Sequence, residues 1–212
     1  MYSLSQFFLY VSSITAVLLA VFVFIKNKKS KISYSFFFMA LSVSLWLFAY
    51  GHMYNSPTLA AAYIWAKIAF IGMVFVPAFI FIFMFDFIEL RLKKTAYFYL
   101  SFFSLFFIVL ILFSDFILSR IEPNSWGVYP QAGKLHFLFL CYSLFLFIYP
   151  VYKLYKHMQK DEVTSIQKQK IIYIILVYCV SMFLFIFDNL FFYNIFTFEP
   201  IIYLTTMFCL IS

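Results

Sequence analysis

The chain has 212 residues, of which 66% are apolar and only 11% charged, against roughly half and a quarter in an ordinary soluble domain. With a mean hydropathy of +1.00, a soluble fold of this length cannot hide so much apolar surface, so lipid must be the solvent for much of it. The formal net charge of +7 does not indicate a nucleic-acid partner, because 12 of the 15 Lys and Arg residues fall in three short clusters between apolar runs: Lys26, Lys28, Lys29 and Lys31; Arg91, Lys93 and Lys94; Lys153, Lys156, Lys160, Lys168 and Lys170.

A span needs about 20 apolar residues at a rise of about 1.5 Å each. On that criterion the sequence predicts an all-α, polytopic membrane bundle of about seven transmembrane helices, at residues 5–25, 32–54, 59–88, 95–118, 135–155, 171–190 and 197–212. The first run, Ser5 to Ile25, has no basic residues before it and no small-residue cleavage pattern after it, so it reads as an uncleaved span. Basic clusters in alternate loops face the cytoplasm. The N-terminus is therefore expected outside.

The third segment follows Asn55-Ser56-Pro57-Thr58, where Ser56 or Thr58 can cap a helix. Ala62, Ala66, Ala69 and Gly72 recur at helical spacing and form a small-residue stripe for close helix approach. Pro77 should bend this helix, and Asp86 and Glu89 fall near its inner end beside Arg91, Lys93 and Lys94. The longest outer connection, Ser119 to Lys134, carries Pro123, Asn124, Gly127, Pro130 and Gly133. These turn residues predict a small hairpin or cap over the outer mouth, with Trp126 and Tyr129 suited to the interface. From Pro200 to Ser212 the seventh segment reaches only about 18 Å into a hydrocarbon core of about 30 Å. The expectation is a fragment whose chain continues into the cytoplasm; a re-entrant or interfacial tail is the alternative.

Lys67 is the sharpest chemical feature, about 12 Å along the third helix by the same rise. A lysine there must snorkel, face water or meet an anion. Asp188 and Glu199 are the anions expected at that depth, with Asp188 preferred because it lies within a helix. His52 and His136 share the outer side but carry no ligand-set motif, and no metal or cofactor is expected. Cys141, Cys179 and Cys209 fall in apolar helices without metal or disulfide spacing and read as small core residues. The last segment has no lysine for a retinal Schiff base, and the chain has no intramembrane serine-protease motif, phosphate loop or HExxH. No catalytic residues are assigned.

Three stretches carry a resemblance: Trp65-Ala66-Lys67-Ile68 leading through Gly72 to Pro77; Trp126-Gly127-Val128-Tyr129-Pro130 followed by Gly133; and Gln167-Lys168-Gln169-Lys170-Ile171-Ile172-Tyr173. In order and spacing, over essentially the whole chain, they resemble the N-terminal seven-helix membrane region of bacterial sensor histidine kinases and related PAS- or GGDEF-containing signalling proteins. The resemblance implies a multi-pass input domain of the bacterial inner membrane. Its partners would be the lipid bilayer, a small-molecule ligand and cytoplasmic kinase or cyclase domains in the same chain, with a homodimer if the output is a kinase. The kinase His box and ATP-binding region are absent from these residues. No ligand set transfers from the family, so the candidate ligand-binding residues come from position in the outer half alone: Trp46, Tyr50, His52, Trp65, Lys67, Trp126, Tyr129 and Asp188. A transporter, predicting inverted repeats or broken polar helices, and a structural membrane subunit are the rival classes.

Overall fold

The computed structural model describes residues 4–124 and 127–193. Six helices within them are long and apolar enough to cross a membrane: α1 (Leu4–Lys26), α2 (Lys31–Tyr54), α3 (Leu59–Phe87), α4 (Lys94–Phe113), α5 (His136–Met158) and α6 (Ser165–Leu190). An antiparallel hairpin, β1 (Leu118–Asn124) and β2 (Gly127–Ala132), joins α4 to α5, and a 3-10 turn, Phe191–Tyr193, follows α6. The helical bundle matches the sequence expectation. The expected segment 197–212 lies outside the described residues.

The boundaries have local causes. Thr58 caps α3 by accepting the Ala61 amide at 3.2 Å, whereas Ser56 donates its hydroxyl back to the His52 carbonyl at 2.9 Å. α6 starts at Ser165, ahead of the apolar run, because Thr164 and Gln167 form a reciprocal capping box. At the other end of α3, Leu90 N–H donates to the Phe85 carbonyl at 3.0 Å and Glu89 N–H to that of Asp86 at 3.1 Å. Glu89 takes φ 55 there, filling the left-handed position that usually holds glycine. The fourth segment is shorter than expected, ending at Phe113 and not near residue 118. Ser114 donates to the Leu110 carbonyl at 2.6 Å as the helix stops. Ile117 and Leu118, which prolonged the apolar run, are buried at the base of the hairpin.

α3 is the hub, meeting α2, α4, α5 and both strands. Its small-residue stripe is entirely buried and admits α2 to backbone distance. A Cβ on Gly72 would lie 2.8 Å from both the Ser42 carbonyl oxygen and the Trp46 amide nitrogen. α3 runs through Pro77 as one helix. α1 joins α2 through the Ser13 and Ser44 hydroxyls, 2.9 Å apart, the kind of interhelical polar contact that holds helices together in lipid. α4 meets α5 through the Ser104 and Tyr142 hydroxyls at 3.2 Å. α6 rests on α5 through Phe147, whose ring lies 5.3 Å from Tyr178 and 5.2 Å from Phe185.

The outer surface of the bundle is apolar, with Phe98, Phe113, Leu176 and Phe183 exposed as lipid contact requires. Cys141 and Cys179 are also exposed, which corrects their assignment to the core. Cys209 lies outside the described residues. The connections after α1, α3 and α5 gather the basic residues at one end, where Ser30, Lys31, Glu89 and Arg91 line a common cleft. The hairpin closes the opposite end.

Candidate functional site

The candidate residues separate into three groups at the hairpin end. Trp126 lies outside the described residues.

The first group is a closed layer beneath β2. Trp46 and Tyr50 lie one turn apart on α2, both buried, with ring centroids 6.3 Å apart. Tyr129 descends from β2 into this layer and is 1% exposed, its ring 6.2 Å from Tyr50 and 5.0 Å from Phe192. It is therefore not an interfacial anchor, as its sequence context suggested; it plugs the bundle. Asp188 reaches the layer from α6, 2% exposed, close enough to act electrostatically on both tyrosine hydroxyls. Burial first, then Tyr50, Tyr54 and Asp188, push the Tyr129 phenol well above its ordinary value of 10.0. It stays neutral, and able to donate, at any physiological pH.

The layer is rich in polar atoms that the protein leaves underused. Trp46 and Tyr129 approach the Tyr50 hydroxyl without closing a well-formed hydrogen bond to it. His136, fully buried at the start of α5, bonds through Nδ1 to the Tyr193 hydroxyl at 3.0 Å, but its Nε2 has no partner among the described residues. Asn189 donates its amide to the Phe185 carbonyl at 2.7 Å and leaves its Oδ1 similarly unpartnered. Ser143, two turns below His136 on α5, adds a further unpartnered hydroxyl. An unmet buried polar atom costs about 1–3 kcal/mol. The indole donates, the amide oxygen accepts, and hydroxyl and imidazole do either, so the set suits a small hydrogen-bonding guest or ordered water.

His52 and Trp65 form the second group, away from this layer. Their rings stack at 4.5 Å with 18° between planes, and Phe48 and Tyr10 pack against the imidazole at 4.4 and 5.5 Å. His52 thus belongs to an aromatic stack joining α1, α2 and α3, while His136 sits among Phe70, Phe139 and Phe192. Among the described residues no three His, Cys, Asp or Glu side chains gather as a metal-ligand set.

Lys67 forms the third group, and its expected pairing with Asp188 is overturned. Its ammonium lies 3.8 Å from Asp115 Oδ1, donates to the Leu112 carbonyl at 3.4 Å, and sits 4.8 Å from the centroid of the Tyr63 ring. Tyr63, one turn earlier on α3, places its hydroxyl 2.6 Å from the same Asp115 oxygen and 2.7 Å from the Leu118 carbonyl. Lys67 and Tyr63 share the α3 face turned to the end of α4, whereas Asp188 is held in the closed layer. Glu199, the other partner expected, lies outside the described residues. Asp115 escaped the sequence reading because the apolar run had been carried through it. In the sequence His136 carries no signal beyond a pairing with His52, and Asn189 is one polar residue at the end of an apolar run.

No curated protein and no solved structure shows a significant match to the chain. Residues 8–212 match the family described as the N-terminal 7TM region of histidine kinase. That match spans nearly the whole chain and agrees with the apolar helices and the basic end. The chain belongs to the family of N-terminal 7TM regions of histidine kinases, the multi-pass input domains of membrane sensors.

Proposed function

We propose that the domain detects a small or membrane-associated molecule in the layer beneath the hairpin and passes a helix displacement to kinase or cyclase domains at its basic end. The positive-inside rule puts that end in the cytoplasm, here of a bacterium with the protein in its inner membrane, and a kinase output implies a homodimer. One observation carries the reading: Tyr50 and Asn189 present unsatisfied polar atoms in the layer that holds an intramembrane carboxylate, Asp188, at the end opposite the basic loops, and His136 adds another beside Phe192. Ionisable groups in such a place are functional candidates by default. A guest signals only through unequal affinity for two helix arrangements. The layer joins α2, α5 and α6 to β2, so filling it acts on several elements at once. Lys67, His52 and Trp65 support its walls from outside.

The test uses the full-length protein in lipid vesicles, with phosphorylation or nucleotide cyclisation as the readout. Tyr50→Phe and Asn189→Leu each remove polar atoms from the layer and should shift basal output at least threefold. Phe98→Leu on the lipid face should not. Equal output from all three, with insertion intact, overturns the reading.

A further inference from the structure

Glu89 also borders a second cleft at the basic end, of about 400 Å³, where the end of α3 meets the connection from α5 to α6. Lys160, Glu162 and Lys170 share its lining. Two carboxylates and two ammonium groups thus border one space, yet neither carboxylate forms an ion pair with either lysine. Both signs of charge stay available to a guest. The walls are set by backbone hydrogen bonds. Lys160 N–H donates to the His157 carbonyl and Val163 N–H to that of Lys160, both at 3.2 Å, and the Thr164–Gln167 capping box holds the start of α6. These turns fix where each charged side chain leaves the chain. The cleft also sits at the boundary between water and hydrocarbon. On α6 the polar first turns end at Lys170, and the apolar run begins at Ile171, which lines the cleft with Phe87 and Val163. Beyond them α6 exposes Ile172 and Leu176 on its outer face.

We propose that this cleft binds the headgroup of phosphatidylethanolamine, with the phosphate at Lys160 and Lys170 and the ammonium at Glu89 and Glu162. Charge complementarity selects the occupant. Basic pockets between helices at a membrane face take lipid headgroups in general, and the two carboxylates make this one suit a headgroup with both poles. An anionic headgroup such as phosphatidylglycerol would satisfy the lysines but meet repulsion from both carboxylates. Phosphatidylcholine balances the charge, but its quaternary ammonium has no N–H to give. A primary ammonium donates charge-assisted hydrogen bonds to the carboxylates, as the lysines do to the phosphate. His157 borders the cleft too, its Nδ1 without a partner among the described residues, and an imidazole N–H is a further donor for a phosphate. The apolar wall and the outer face of α6 receive the start of the acyl chains, which soluble phosphoethanolamine lacks. The site lies at the other end of the bundle from the layer beneath the hairpin, and it stands without the sensor reading.

The test is native mass spectrometry of the full-length protein released from vesicles of equal parts phosphatidylethanolamine, phosphatidylglycerol and phosphatidylcholine. Phosphatidylethanolamine should be retained at least fivefold over either of the others. Lys160→Gln with Lys170→Gln should cut that retention at least fivefold. Lys153→Gln with Lys156→Gln removes the same charge outside the cleft, where the two ammonium groups lie over the Tyr149 and Tyr152 rings, and should change it less than twofold. Glu89→Gln with Glu162→Gln should shift the preference to phosphatidylglycerol. Glu162→Gln alone, in the exposed connection, should move it the same way, so poor insertion of the double variant leaves the ammonium pole testable. Three results overturn the proposal. Equal losses from the two lysine pairs mean diffuse attraction to the membrane face. Preference of the unaltered protein for phosphatidylglycerol makes the cleft an anionic-lipid patch. Displacement of the lipid by an equal concentration of soluble phosphoethanolamine makes the free headgroup compound the ligand.

Discussion

The group formed by Lys67, Tyr63 and Asp115 gives a stability prediction whose size follows from geometry. At 3.8 Å two unit charges attract by about 1 kcal/mol in water and about 4 kcal/mol at an effective dielectric of 20. The Asp115 side chain is 71% exposed and that of Lys67 18%, so the pair belongs near the aqueous limit, at about 0.5–1 kcal/mol after screening. The Tyr63 hydroxyl, 2.6 Å from the same carboxylate, adds a charge-assisted hydrogen bond of about 1.5 kcal/mol. Lys67→Met and Asp115→Asn, measured by equilibrium unfolding in mixed micelles, should couple by about 0.5–1 kcal/mol in a double-mutant cycle. Lys67→Met and Asp188→Asn should add to within about 0.5 kcal/mol, as groups without shared contacts do. Tyr63→Phe should cost more than Lys67→Met and lower proteolytic protection of the hairpin, because the same hydroxyl holds Leu118. Coupling of Lys67 to Asp188, with none to Asp115, would refute this account.

Two further outcomes are expected. Gly72→Ala drives a methyl group into the backbone of α2, within 2.8 Å of Ser42 and Trp46; because backbone cannot step aside like a side chain, it should cost about 1–3 kcal/mol, while Ala69→Gly costs about 1 kcal/mol. For orientation, a reporter enzyme active only in the cytoplasm should work when fused after Lys29, Lys94 or Lys160 and fail after Asn124, and activity at Asn124 would reverse the topology.

Presence and order of the six described helices were legible in the sequence because crossing a bilayer imposes length and apolarity. The hairpin was legible in its turn residues. Which face of each helix meets protein was not. In water an amphipathic stripe marks the buried face, but in lipid both faces are apolar, so Cys141 and Cys179 looked like core and proved to face outward. α3 was the exception, since alanine and glycine are informative where leucine and phenylalanine are not. Hydropathy also blurs ends: it ran α4 through Asp115, concealing the partner of Lys67, and missed the polar first turn of α6 that Thr164 and Gln167 secure. Tyr129 looked interfacial because strand residues of a hairpin can point either to solvent or inward, and pairing with Glu122 set its side.

The contact at Gly72 also has a mechanical meaning. Where backbone touches backbone there is no compliant layer of side chains to yield under load, so α2 and α3 behave as one strut from the hairpin to the basic end. The joints around that strut are of another kind. α5 and α6 meet through rings such as Phe147, Tyr178 and Phe185, side chains that have alternative rotamers where backbone has none. A load applied beneath the hairpin would be carried by the stiff member and released at the soft one, so the expected travel is in α6, with α2 and α3 kept in register.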